Sequence, residues 1–199
     1  INLVTPTHYT PSIAAALGEL RDSRVLTIPV VYNTSSFDSL EALSLMRGKV
    51  DVYLADFKYA SALEAGKLSH APRYPEIALA AIEEMIAQVP VWEEDDEGLL
   101  LKGVIVRHLV LPGRVEESKR ALATLHDRFG GSVRLSIMSQ YTPLASGLER
   151  YGLAGRVTEE EYEEVLDYAD SLGVEDYFWQ QGDAAQESFV PEFNGEGVR

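Results

Sequence analysis

The chain has 199 residues, enough for one sizeable domain, and its formal net charge of -15 at pH 7 repels the phosphates of nucleic acids and anionic membranes. It contains no cysteine, which excludes disulfides and thiolate-bound metals within these residues. No apolar run approaches the roughly 20 residues of a membrane span, and no secretion signal begins the chain, so we expect a cytoplasmic protein without a membrane or nucleic-acid partner.

Five apolar runs predict β-strands, and every run ends in a group of polar residues. The runs span residues 2–8, 30–34, 52–58, 104–113 and 135–141. Helix signals lie between and after them: Pro11, Pro75 and Thr158 mark helix starts, Asp38 is a candidate N-cap, and residues 115–129 form a further helix. This alternation predicts an α/β barrel of parallel strands with its chemistry at the carboxyl ends of the strands.

Two segments do not fit the alternation of strands and helices. Residues 92–98 are acidic and end in a glycine, which predicts a small hairpin before the fourth strand, with its charges in solvent. Residues 180–199 are rich in glycine and include a proline, which predicts an irregular C-terminal tail. We therefore expect residues 1–199 to form a single domain with this tail at its end.

Charged residues at the strand ends form the strongest candidate site. Asp56 and Lys58 are two residues apart in a strand and therefore project from the same face. Such a pair is either a salt bridge or a clamp for a zwitterion, and the spacing does not decide between them. Arg107 lies in an apolar strand and has to meet an anion, a carbonyl or a ligand, because a buried unpaired guanidinium is costly. His108 faces the opposite side, where helix packing is its expected role.

The other polar residues at strand ends are weaker candidates. His8 follows the first strand, Asn33 and Thr34 end the second, and Gln140 and Tyr141 end the fifth. Each of them could bind polar ligand atoms or simply support the adjoining loop. The four histidines have no metal-ligand spacing. Phosphate-binding glycine loops and nucleophile-elbow motifs do not occur.

The order of these motifs resembles the radical S-adenosylmethionine (SAM) family, in the branch related to the pyruvate formate-lyase activating enzyme. The resemblance rests on residues 2–9, 33–34, 54–58, 107–113, 140–143 and 186–191 and extends over essentially the whole chain. It implies a partial (β/α)6 TIM-like barrel that binds SAM across its strand ends. It also implies an iron-sulfur oxidoreductase, whose 4Fe-4S cluster cleaves SAM reductively to a 5′-deoxyadenosyl radical. That radical takes a hydrogen atom from a glycine of a partner glycyl radical enzyme or from another substrate.

The resemblance also carries over to individual residues. It implies that Asp56 and Lys58 lie near the methionine carboxylate of SAM, that Asn33 and Thr34 lie beside a monovalent cation, and that Arg107 reaches the cofactor. Tyr141 falls near a position that is histidine in the activating enzyme. The predicted cofactor-binding set comprises Thr5, Thr7, His8, Asn33, Thr34, Asp56, Lys58, Arg107, Gln140 and Tyr141.

Three departures from the family pattern bear on function. The residues 5–8 replace a glycine-rich stretch, Asn33 replaces an aspartate, and the CxxxCxxC loop that holds the cluster is missing. We therefore expect a fragment that lacks the first strand of the barrel and the catalytic and metal residues, and that is inactive by itself. Residues 2–5 would then form an unpaired sheet edge that invites self-association.

Two other interpretations stay open. A non-catalytic barrel acting as a binding or interaction module is favoured by the lack of cysteine and opposed by the retained Asp56, Lys58 and Arg107. A barrel of the lyase or aldolase kind would use Lys58 as an amine nucleophile, which requires a desolvated lysine. Asp56 beside it disfavours this chemistry, because a neighbouring carboxylate keeps the proton on the amine.

Overall fold

The computed structural model describes residues 1–144, 146–174 and 176–179. The predicted tail at 180–199, with the motif at 186–191, lies outside the described residues. None of the described helices is long and apolar enough to cross a membrane.

The described residues form a seven-stranded sheet. Its strands are β1 (Asn2–Val4), β2 (Val31–Thr34), β3 (Val52–Asp56), β4 (Glu93–Glu94), β5 (Leu100–Leu109), β6 (Arg134–Met138) and β7 (Tyr177–Trp179). Apart from β4, which pairs antiparallel with β5, the strands are parallel and lie in the order β1-β2-β3-β5-β6-β7. Within the described part of the chain β1 and β7 are the two edges, so the sheet is an open partial barrel.

Helices connect the parallel strands. They are α1 (Thr10–Asp22), α2 (Leu40–Met46), α3 (Ala62–Ser69), α4 (Tyr74–Gln88), α5 (Val115–Phe129) and α6 (Glu159–Ser171). Single turns of 3-10 helix occur at Pro6–Tyr9, Gly130–Ser132 and Leu148–Tyr151. Because the parallel strands follow one another in space as in sequence, every right-handed crossover places its helices on the same face of the sheet.

The two faces of the sheet differ in burial. The face under the helices carries fully buried side chains such as Tyr32, Tyr53, Val106 and Ile137, which belong to the hydrophobic core. The alternate residues of β2, β3, β5 and β6 are mostly only half-buried. We call this second face, which lies opposite the helices, the inner face.

The five predicted strands, the open parallel barrel and the hairpin before β5 are confirmed. The capping box of Thr158 and Glu161 is also present. Asp38, however, is not the N-cap of α2. The hydroxyl of Ser39 accepts the Ala42 N–H at 3.1 Å instead, and Asp38 is buried. The sequence prediction has no counterpart for α3 or β7, which are 8 and 3 residues long and too short for a clear periodic signal.

Candidate functional site

Four polar side chains meet on the inner face at the carboxyl ends of β2, β3 and β5. They are Asn33, Asp56, Lys58 and Arg107, and we call them the strand-end cluster. The parallel register brings them together, because Asp56 lies opposite Arg107, and Asn33 pairs with Leu54, two residues before Asp56. Side chains two residues apart share a face of the sheet, so Asn33 and Asp56 point the same way.

Arg107 is the centre of this cluster. Its Nε donates a hydrogen bond to Asp56 Oδ1 at 2.8 Å, and its Nη2 lies 2.7 Å from the same oxygen. Nη2 also donates to Asn33 Oδ1 at 2.8 Å. Of the three partners predicted for Arg107, the structure thus provides an anion and a side-chain carbonyl. The family resemblance implies a monovalent cation beside Asn33. In the structure the Arg107 guanidinium contacts Asn33 instead.

Lys58 is the most accessible charge of the cluster. Its Nζ lies 3.6 Å from Asp56 Oδ2, and its side chain is 44% exposed, against 18% for Asp56 and 23% for Arg107. An ion pair this exposed contributes only about 0–1 kcal/mol, so Lys58 can turn toward a ligand at small cost. Because two cations face one carboxylate, the cluster has an excess of positive charge and suits a ligand with an anionic group.

The remaining predicted residues near β1 and β2 lie around the cluster or behind it. The Thr5 N–H donates to the Asn33 carbonyl at 2.8 Å, which joins the end of β1 to the strand that carries Asn33. His8 is exposed. Thr7 and Thr34 both donate to the Asp38 carboxylate, so the structure brings these two hydroxyls together at Asp38 and directs neither to Arg107.

Asp38 is a buried carboxylate that the sequence prediction assigned to a helix cap. Its Oδ1 accepts the Thr7 hydroxyl at 2.8 Å and the Tyr32 hydroxyl at 3.4 Å, and its Oδ2 accepts the Thr34 hydroxyl. Burial raises the pKa of Tyr32, which keeps this hydroxyl a donor. The only sequence signal for this network was the hydroxyl-rich segment that precedes Asp38. The hydrogen bonds from Thr7 and Thr34 to Asp38 hold the loop after β1 against the end of β2.

The two predicted residues after β6 make local contacts. The Tyr141 hydroxyl donates to the Leu153 carbonyl at 2.8 Å, and burial raises the pKa of this phenol. The Gln140 amide lies 3.6 Å from Met138 Sδ. The hydroxyl of Tyr141 is thus bonded to the loop that follows β6.

His108 faces the helix side of the sheet, as the sequence predicts, and contacts Ser118 of α5. Its Nδ1 lies 2.8 Å from the Phe57 carbonyl and its Nε2 lies 2.9 Å from Ser118 Oγ. A carbonyl only accepts hydrogen bonds, so Nδ1 carries the proton and Nε2 accepts from Ser118. Burial lowers the pKa of His108, which favours this neutral ring.

The residues of this chain do not fit an iron-sulfur cluster. Such clusters are held mainly by cysteine thiolates, and none of the 199 residues is a cysteine. Among the described residues, no group of three histidine, aspartate or glutamate side chains is placed to hold a metal ion either. The strand-end cluster is instead a set of hydrogen-bonding and charged side chains that contact one another.

Comparison with known proteins places the fold. No protein-family model matches the chain. An uncharacterized protein of Methanocaldococcus jannaschii is 28% identical over 170 residues, which cover 85% of this chain and 45% of that protein. A domain of the pyruvate-formate lyase-activating enzyme from Bacteroides vulgatus superposes with a TM-score of 0.63 at 10% identity, covering 91% of this chain and 98% of that domain. A radical SAM methyltransferase from Sphaerobacter thermophilus has a TM-score of 0.49 at 12% identity, with coverages of 77% and 41%.

These findings define the class of fold. The chain shares its α/β fold with the domain of the activating enzyme, and it contains no cysteine. The resemblance predicted from the motifs is thereby confirmed for the fold. The chain spans less than half of its Methanocaldococcus relative, and a shared fold does not define a reaction.

Proposed function

We propose that this chain is the SAM-binding part of a radical SAM protein related to the pyruvate formate-lyase activating enzyme. The observation that carries the proposal is the strand-end cluster, which presents an amide, a carboxylate and two cations at the ends of three adjacent strands. Parallel α/β folds bind their ligands at this end of the strands. The cluster also lies on the inner face, opposite the helices.

The chemistry of the cluster is matched to the amino-acid end of SAM. That end is a zwitterion, so its carboxylate suits Lys58 and its ammonium suits the Asp56 carboxylate. Leu54 and Ile105 precede Asp56 and Arg107 by two residues, about 7 Å along the strands, and lie on the same face. Both are half-buried and provide apolar surface for the rest of the ligand. When bound, SAM supplies a carbon chain that is activated by its sulfonium group.

Reductive cleavage of SAM requires an iron-sulfur cluster that the residues of this chain do not fit. We therefore propose that the chain binds SAM and does not cleave it alone. Hydrogen abstraction from a glycyl radical enzyme or another substrate would require other residues to supply the iron-sulfur cluster. A cytoplasmic location and self-association through β1 are parts of the same proposal.

Isothermal titration calorimetry with SAM tests this proposal. We expect one site in the wild-type chain and an affinity at least tenfold lower in Lys58→Met, because a hydrogen bond to a charged group is removed. Lys102→Met is a matched control, since Lys102 is 46% exposed and pairs with Glu93 at 2.7 Å. We expect wild-type affinity from the control. A flat wild-type titration, or equal losses in both variants, would refute SAM binding at this cluster.

The two alternatives differ in how they use the same residues. A binding module would hold another zwitterion at the cluster, and a flat titration with SAM favours that function. A lyase with Lys58 as nucleophile needs a desolvated amine. Because Lys58 is 44% exposed and paired with Asp56, the structure does not support this mechanism.

A further inference from the structure

The hydroxyl of Tyr74 lies at the junction of three backbone groups from two strand ends. It is 2.9 Å from the Asp56 carbonyl and 3.0 Å from the Ser35 carbonyl, and it accepts the Lys58 N–H at 3.0 Å. The single hydroxyl proton is shared between the two carbonyls, while the lone pairs receive the amide. One oxygen atom therefore joins the segment after β2 to both charged residues at the end of β3.

The ring of Tyr74 is held as firmly as its hydroxyl. Tyr74 is the first residue of α4, and its side chain is buried among Phe37, Phe57 and Tyr59. The ring centroids of these residues lie 6.0, 6.4 and 5.6 Å from that of Tyr74. Burial also raises the pKa of Tyr74, so that the hydroxyl keeps its proton. Aromatic pairs of this geometry fix the ring, and the ring fixes the position of the oxygen.

Other buried groups also hold the segment that follows β3. His108 bonds the Phe57 carbonyl, and the Glu117 carboxylate accepts the N–H groups of Ala60 and Ser61 at 2.8 and 2.7 Å. Neither contact extends to the segment that follows β2. Tyr74 differs because its contact with Ser35 lies two residues beyond Asn33, a member of the strand-end cluster.

We propose that Tyr74 is a positioning residue for the strand-end cluster. It acts from the helix side of the sheet, through the backbone of Asp56 and Lys58, and keeps both side chains directed to the inner face. Binding groups held in place before the ligand arrives lose less entropy on binding. The effect on SAM affinity rests on the proposed function, whereas the fixed position of Lys58 does not.

Tyr74→Phe and Tyr53→Phe form a matched pair of variants. Both tyrosines are buried, and each substitution removes one hydroxyl and keeps the ring. The Tyr53 hydroxyl donates to Gln88 Oε1 at 2.6 Å, on α4, and contacts no strand end. Comparing the two variants separates loss of the positioning contact from the general cost of losing a buried hydrogen bond.

The first readout is amide hydrogen exchange at Lys58, measured by NMR and corrected for global stability from urea unfolding. We expect exchange at least tenfold faster than wild type in Tyr74→Phe and unchanged in Tyr53→Phe. Equal exchange in the two variants would overturn the proposal. A Lys58 amide that exchanges as fast as an exposed loop amide in the wild-type chain would also overturn it, without any variant.

The second readout is SAM affinity by calorimetry. We expect a Kd about tenfold higher in Tyr74→Phe and unchanged in Tyr53→Phe, as for residues that orient a binding group. Unchanged affinity in Tyr74→Phe, with SAM bound by the wild type, would refute the positioning role. Absence of SAM binding in the wild type would refute the proposed function instead, and the exchange of Lys58 would then decide the role of Tyr74.

Discussion

Asp56 and Arg107 stand opposite one another on β3 and β5, and Arg107 Nη2 lies 2.7 Å from Asp56 Oδ1. The same guanidinium bonds Asn33 on β2, so that one side chain joins the ends of three strands. An unpaired charge in this half-buried position would lose hydration without compensation. The pair therefore stabilises the sheet at the end where the proposed ligand binds.

A double-mutant cycle measures this coupling. We expect Asp56→Asn and Arg107→Met each to lower the free energy of unfolding by about 1–2 kcal/mol, and the double variant to cost about 1 kcal/mol less than the sum. Urea unfolding provides the values. The exposed pair of Arg73 and Glu76 serves as control and is expected to show no measurable coupling. Additive effects at Asp56 and Arg107 would contradict the prediction.

His108 is expected to make the stability of the protein depend on pH. Burial lowers its pKa below the ordinary value of 6.5, so the unfolded state binds a proton at a pH where the folded state does not. The stability that neutral His108 contributes is present above pH 6.5 and is lost as the pH falls from there toward the lowered pKa. We expect His108→Gln, although less stable, to have a smaller slope of unfolding free energy between about pH 7 and pH 5.5.

Chemical denaturation at a series of pH values measures this slope. The variant His126→Gln is the control, because His126 lies on α5 away from the strand ends. Glu117 does not interfere, although its pKa is also shifted. Burial alone would raise the pKa of Glu117, but hydrogen bonds from Arg120, Ser61 and Ala60 outweigh burial and lower it from 4.5. The stability that Glu117 contributes is lost only below pH 4.5, outside the range measured for His108. Equal slopes in wild type and His108→Gln would therefore disprove the role of His108.

Gly103 allows the ring of Trp92 to lie against β5. A Cβ at position 103 would approach Trp92 Cε3 to 2.6 Å, closer than such contacts allow. We expect Gly103→Ala to lower the free energy of unfolding by about 1–3 kcal/mol through overpacking. The double variant with Trp92→Leu should recover part of this loss. Gly131→Ala, where a Cβ meets nothing within 4 Å, is the control for the general effect of alanine.

Glu117 is a buried acceptor for the start of α3. Its Oε1 receives the N–H groups of Ala60 and Ser61, and its Oε2 receives Arg120 at 2.7 Å. We expect Glu117→Gln to lower the free energy of unfolding by about 1–3 kcal/mol, because glutamine keeps one acceptor oxygen and its amide nitrogen cannot accept the bonds made by the other. Its neighbour Glu116 is 76% exposed, so Glu116→Gln should have little effect in the same thermal or urea unfolding assay. Equal losses would show that the buried contacts of Glu117 are unimportant.

Part of the site follows from local rules. The period of two along a strand predicts that Asp56 and Lys58 share a face and that His108 faces away from Arg107, and both are confirmed. The same period separates Asn33 from Thr34, whose hydroxyl bonds the buried Asp38 on the helix side. Adjacent residues of one strand do not contact the same ligand from the same face. Asn33 and Thr34, both members of the predicted set, therefore lie on opposite faces of the sheet.

Those local rules do not predict contacts between segments that are distant in sequence. Tyr74 lies 39 residues from Ser35 in sequence, and nothing in the pattern around Pro75 distinguishes its hydroxyl from that of an exposed tyrosine. Asp38 has the residue type of a helix cap, but a neighbouring serine supplies the cap. In both cases the packing of the helices on the sheet selected the partner.

The sequence by itself determined the alternation of strands and helices, the start signals of several helices and the residue types at the strand ends, because these depend on side-chain periodicity and local hydrogen bonds. The tertiary structure alone decided which of those residues meet. Strand order and register set Asp56 opposite Arg107 and bring Asn33 to the same guanidinium. Those relations depend on how separate segments pack around a common core, and a linear pattern carries no record of that packing.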